Sequence, residues 1–188
     1  PAPGEGHAVA GLLGPGAFSL PPDLKLQADL ARIAAGRAAA RVALAQGIAV
    51  ASLNHRLSHE AIFPAQINEV KAAIRYFRVH PADHGLDGGI FALWGCSAGG
   101  YLELLAATTN DVAVMEDLTM GHPTTSSAVQ AVVSFFAPTR LDQMDEHLAQ
   151  TGAGTSGHLA TDSPESRLLG GLPTTCPGLV IAANPETW

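Results

Sequence analysis

Ile90-Phe91-Ala92-Leu93-Trp94-Gly95-Cys96-Ser97-Ala98-Gly99-Gly100, running on into Tyr101-Leu102-Glu103-Leu104-Leu105-Ala106, is the stretch on which the reading of this chain turns. An apolar run enters Gly95-Cys96-Ser97-Ala98-Gly99, and a helix-like pattern leaves it. A G-x-S-x-G pentapeptide in that setting has the form of a nucleophile elbow, a sharp strand-to-helix turn with the serine at its apex. Gly95 and Gly99 keep Cβ atoms out of the place where the two backbones crowd together. The turn lifts the Ser97 hydroxyl off the sheet. It also leaves the Ala98 N–H at a helix N-terminus, where partial positive charge favours an oxyanion. A Gly-rich turn with no chemistry draws on the same residue types, and the flanking strand and helix are what favour the elbow.

Working outward, strand and helix patterns alternate. His7 to Leu13 reads as a short buried strand and Gly14-Pro15-Gly16-Ala17-Phe18 as a loop. Asp23 is positioned to cap a helix over Leu24–Gln46, rich in Ala, Leu and Arg, which Gly36 weakens and Gly47 ends. Ile48–Leu53 reads as a buried parallel strand. Phe63, Ile67, Val70, Ile74 and Phe77 fall three or four apart and define the apolar face of a helix, with Pro64 suited to its first turn and Pro81 blocking its continuation. Ile90–Trp94 is the strand before the elbow, Ala98–Thr108 the helix after it, and Val129–Phe136 a further strand. This alternation predicts an α/β fold, a mostly parallel sheet with helices on both faces. From Ala137 to Trp188 prolines break the pattern, which predicts an irregular, cap-like region within a single domain over residues 1–188.

Composition narrows the class. Of the 188 residues 47% are hydrophobic and only 14% charged, enough for one domain with a substantial core. No apolar run is long enough to span a membrane. The formal net charge is −7 and the basic residues are scattered singly, which argues against nucleic acid as a partner. Pro1–Gly6 has neither the basic start nor the apolar core of a signal peptide, which tilts the expected compartment to the cytoplasm. The absence of an initiator methionine suggests an excised piece. Two cysteines imply no disulfide framework, and Cys96 is expected to be a small core residue. No cofactor is implied. His55 and His59 have the spacing of two metal ligands on a helix, but they follow a strand and precede Pro64, so a loop without metal is expected. Arg56 is expected to pair with a carboxylate. Trp94 and Tyr101 could line an acyl pocket, although core packing is the role expected of both.

Gly47 to Ser58, Phe63-Pro64-Ala65 and Trp94 to Gly100 resemble bacterial α/β-hydrolase esterases of the feruloyl-esterase-like and hormone-sensitive-lipase-like branch. Asp162 to Gly171 and Ala182-Ala183-Asn184-Pro185 resemble the same branch. The resemblance implies a serine esterase acting on a small-molecule ester. Ser97 would attack the carbonyl, and the Ala98 N–H would bind the oxyanion with donors from an early loop. That loop usually reads His-Gly-Gly in the family. Here it matches Gly14-Pro15-Gly16-Ala17-Phe18, which leaves Gly16 and Ala17 as donors. His55 also departs from the tyrosine more usual in the family. The family's acid and base come from two strands beyond Val129–Phe136, so the fold is read as incomplete, a central portion without its usual triad partners. Asp142, Asp145, His147 and His158 follow Ser97 in a workable order, but a solvated loop histidine is the role expected of His147 and His158. His122 reads as part of a turn. The other function class is a catalytically inactive remnant serving as a binding module or a homo-oligomer joined through the exposed edge of Val129–Phe136.

Overall fold

The computed structural model describes residues 9–13, 40–152 and 157–188. Four strands form one sheet: β1 (Val9–Leu13), β2 (Ile48–Ser52), β3 (Phe91–Cys96) and β4 (Ala131–Phe135), in the order β2-β1-β3-β4. β3 and β4 pair in parallel, from Ala92 opposite Ala131 to Cys96 opposite Phe135. β1 runs against both of its neighbours, with Val9 opposite Ser52 on one side and Trp94 on the other. Three strands therefore point one way and a reversed one lies among them. The parallel pairing expected for Ile48–Leu53 gives way to an antiparallel one, because β1 occupies the place beside it. With Ser52 and Trp94 flanking the same residue, the loops that leave β2, β3 and β4 all depart from one end of the sheet. That end is where open α/β sheets place their ligands.

The helices include α1 (Ala65–Val79), α2 (Pro81–His84), α3 (Ala98–Thr108), α4 (Met144–Thr151), α5 (Pro164–Leu169) and α6 (Pro177–Ala183). Residues 40–45 are also helical and end at Gly47, whose φ of 78° is the left-handed conformation a glycine takes at least cost. The rest of the helix expected over Leu24–Gln46 lies outside the described residues. Phe63 and the α1 stripe Ile67, Val70, Ile74 and Phe77 are all buried, as their spacing predicts. They join Leu102, Leu105 and Ala106 of α3, and Ala49, Ala51, Phe91 and Leu93 of the sheet, in one core. Burial alternates along β3 with the period of two that a strand imposes: Phe91, Leu93 and Gly95 are buried, and Ala92 and Trp94 are less so.

From Ala137 onward the chain is more ordered than an irregular segment. Its prolines stand mostly in the first turns of α5, α6 and two short 3-10 turns. There the missing N–H costs no intrahelical bond and the fixed φ favours the helix. Ser163 caps α5 by accepting the Ser166 N–H at 3.0 Å. The Leu168 carbonyl accepts the Phe63 N–H at 2.8 Å, which ties α5 to the loop after β2.

α1 also buries two cations that its apolar stripe does not foretell. Lys71 and Arg75 are both 0% exposed. Glu116 answers both, paired with Arg75 Nη1 and 3.4 Å from Lys71 Nζ, and it also accepts the Ser127 hydroxyl. Lys71 donates further to the Thr109 carbonyl at 2.7 Å, and Arg75 to the carbonyls of Asp117 at 2.8 Å and Gly121 at 3.1 Å. Burial pulls the Lys71 ammonium below its ordinary pKa, with Glu116 opposing that pull. Together these two cations and the Glu116 carboxylate tie Thr109, Asp117, Gly121 and Ser127 to α1.

Candidate active site

Ser97 stands between the last residue of β3 and the first of α3 and is exposed. Its backbone has φ 54° and ψ −125°, a conformation that L-residues rarely adopt and that costs about 1–3 kcal/mol. Two hydrogen bonds hold it there. The Ser97 N–H donates to the Phe135 carbonyl of β4 at 2.9 Å, and the Ser97 carbonyl accepts the Tyr101 N–H at 2.9 Å. The elbow is therefore fixed both to the neighbouring strand and to its own helix. Ala98 opens α3, so its N–H is among those that find no partner within the helix. Gly16 and Ala17, the other expected oxyanion donors, lie outside the described residues.

The glycines explain why strand and helix can meet so closely. A Cβ on Gly95 would stand 2.6 Å from Glu103 Oε1 and 2.9 Å from the Gly99 carbonyl carbon. A Cβ on Gly100 would stand 2.6 Å from Ser134 Oγ and 3.3 Å from the Gly95 carbonyl oxygen. Gly95→Ala is accordingly expected to force α3 away from β3 and to cost about 1–3 kcal/mol, the usual range for overpacking. Denaturant unfolding checks this, and an unchanged midpoint would show that the contact relaxes freely.

The neighbours of Ser97 sort differently from expectation. Cys96 is exposed, not a core residue, because the strand alternation turns it away from the side that Gly95 faces. Tyr101 is buried in the core, and burial pushes its phenol above the ordinary range. Trp94 is half-buried, its ring 6.2 Å from that of Phe135.

No hydrogen bond joins Ser97 Oγ to a histidine among the described residues; the bonded ones have other partners. His158 Nδ1 lies 3.0 Å from Oε1 of the buried Glu165. His147 is exposed on α4. The two aspartates weighed as triad acids are engaged elsewhere. Arg140 grips Asp142 through both carboxylate oxygens and, with Asn184, holds its carboxyl below the usual range. Asp145 accepts the backbone N–H groups of His158, Gly157 and Leu159, which also lowers its pKa. Arg56 pairs with Glu69, as expected of it. His55 and His59 lie in the loop after β2, and no group of three or more potential ligands that could hold a metal stands together among the described residues. His122 opens a turn, its carbonyl accepting the Thr125 N–H at 3.0 Å.

One feature beside Ser97 gave no signal in the sequence. Phe136, the first residue after β4, is 90% exposed and has φ 55°. A bulky residue in the left-handed region is uncommon and strained.

Comparison with known proteins agrees with the geometry. Residues 30–188 match the BD-FAE family. "Esterase LipC" of Mycobacterium tuberculosis is 36% identical over 89 residues, 47% of this chain and 22% of that protein. A solved structure described as "Bifunctional GH43-CE Bacteroides eggerthii" superposes with a TM-score of 0.71 at 37% identity, covering 86% of this chain and 23% of the other. A second, "Truncated form of carbohydrate esterase from gut microbiota", gives a TM-score of 0.63 at 32% identity over 74% of this chain and 50% of its own. The chain thus spans about a fifth of the curated relative's length. Among the described residues no helix is long and apolar enough to cross a membrane.

Proposed function

From the premise that this chain belongs to the BD-FAE family, within the α/β-hydrolase fold, we propose that it carries the nucleophile of a carboxylic-ester hydrolase, with Ser97 attacking the carbonyl of a small-molecule ester. The observation that carries this reading is the strained, anchored backbone of Ser97 at the ligand-binding end of the sheet. Attack by Ser97 Oγ forms a tetrahedral adduct, whose oxyanion falls to the Ala98 N–H and the positive end of α3. Collapse of the adduct breaks the ester C–O bond; the proton that left Ser97 Oγ, carried by solvent water, ends on the departing alcohol, and water then hydrolyses the acyl group on Ser97 to the free acid. Esterase LipC and the carbohydrate esterase are named for ester hydrolysis, which fits this assignment. A fluorophosphonate probe tests it. Mass spectrometry is expected to find the adduct on the peptide containing Ser97, and a chain that remains unmodified at Ser97 overturns the assignment.

A second reading rests on β4, which is paired on one side only among the described residues. Val133 and Phe135 are 47% and 42% exposed there. An apolar strand with a free edge can take a further strand from a second copy. Light scattering is expected to show mass rising with concentration, and Val133→Lys to suppress the rise. A monomer mass at every concentration removes this reading.

A further inference from the structure

We infer that Phe136 is a substrate-contacting residue, its ring serving as a wall for the apolar group of an ester bound at Ser97. This rests on the reading of Ser97 as nucleophile. Three observations converge on it. Phe136 follows directly on Phe135, the residue whose carbonyl anchors the Ser97 N–H, so it leaves the sheet at the same end and beside the same turn. Its backbone takes φ 55°, where glycine or asparagine is the inexpensive choice, and its ring stays 90% exposed. A fold that holds a large apolar side chain in a strained conformation without burying it gains nothing for its core. Strain of this kind collects at sites of function. Finally, the ring is not isolated. Trp94 lies 6.2 Å from Phe135, and Phe135 lies 6.4 Å from Phe136, so an aromatic row crosses β3 and β4 and ends at Phe136. Rings that are rigid and apolar offer contact area at small entropic cost.

The test separates binding from chemistry. Ser97→Ala removes turnover, and titration with p-nitrophenyl butyrate is followed by quenching of tryptophan fluorescence. Adding Phe136→Ala is expected to weaken binding about tenfold, whereas Phe136→Tyr, which keeps the ring, stays within about twofold. Melting temperatures of the Phe136 variants are expected to stay close to the parent, since the ring is 90% exposed and adds little to the core. Unchanged affinity in Phe136→Ala, absence of saturable binding, or a large loss of melting temperature on removing the ring each overturns the inference. Failure of the nucleophile reading shows separately, as a missing fluorophosphonate adduct at Ser97 in the unaltered chain.

Discussion

Ser97→Ala is expected to lower p-nitrophenyl butyrate hydrolysis by at least about 10²-fold, down toward the buffer rate. A held nucleophile turns a bimolecular attack into an effectively unimolecular one, and well-oriented groups reach effective molarities of about 10⁵ M or more. Even a serine without a bonded base keeps part of that advantage over water attacking in the same place. When a base engages the serine, removing it costs about 10⁶ in kcat. The size of the loss therefore reports on the base as well as the nucleophile. No described histidine bonds Ser97, so a loss near 10² fits the geometry as it stands. A loss near 10⁶ would mean that a base closes on Ser97 once substrate binds, as catalytic hydrogen bonds often tighten in the complex. Equal rates for both proteins would remove Ser97 from the reaction.

Glu116→Ala is expected to destabilise the fold by about 3–5 kcal/mol, the cost of breaking a buried ion pair by removing one partner. Lys71 and Arg75 would remain interred without a counter-charge, and the Ser127 hydroxyl would lose its acceptor. Lys71 already has its pKa lowered by burial, and without Glu116 it would be driven further toward the neutral amine. For a chain of this size each kcal/mol moves the melting temperature by about 2–4 °C, so a fall of about 6–20 °C is expected. Replacing the whole cluster with apolar residues of similar volume is expected to cost less than Glu116→Ala alone, since no charge is then stranded. Thermal unfolding of both variants checks the pair. A shift under about 2 °C for Glu116→Ala would show that water reaches the cations.

Much of this was legible in the residues themselves. The elbow followed from Gly95-Cys96-Ser97-Ala98-Gly99 and its flanks, and α3 spans Ala98–Thr108 as its pattern predicts. The apolar stripe from Phe63 to Phe77 located the core face of α1. Two kinds of fact were out of reach. The first is long-range placement. Nothing in Val9–Leu13 announces that it will lie reversed beside β3, and nothing near Lys71 and Arg75 points to a carboxylate far along the chain. Cations on a helix ordinarily read as a solvated face. The second is punctuation with two meanings. Pro164 and Pro177 break a helix from within but start one from its first turn, and the prolines alone do not say which use applies. The conformation of Phe136 left no local trace, because a phenylalanine after a strand gives no warning of a left-handed turn.

β1 touches β2 on one side and β3 on the other, so among the described residues it is the link through which the two halves of the sheet share hydrogen bonds. During synthesis that link leaves the ribosome ahead of both its partners. It meets β2 first, and then waits for most of the elbow strand to be made before its other side is covered. Closing so distant a pairing is slow, and the waiting strand offers an open template to any passing chain. The assembly of this sheet thus waits on its elbow strand: until Phe91–Cys96 arrives, β1 has one side paired with β2 and the other uncovered.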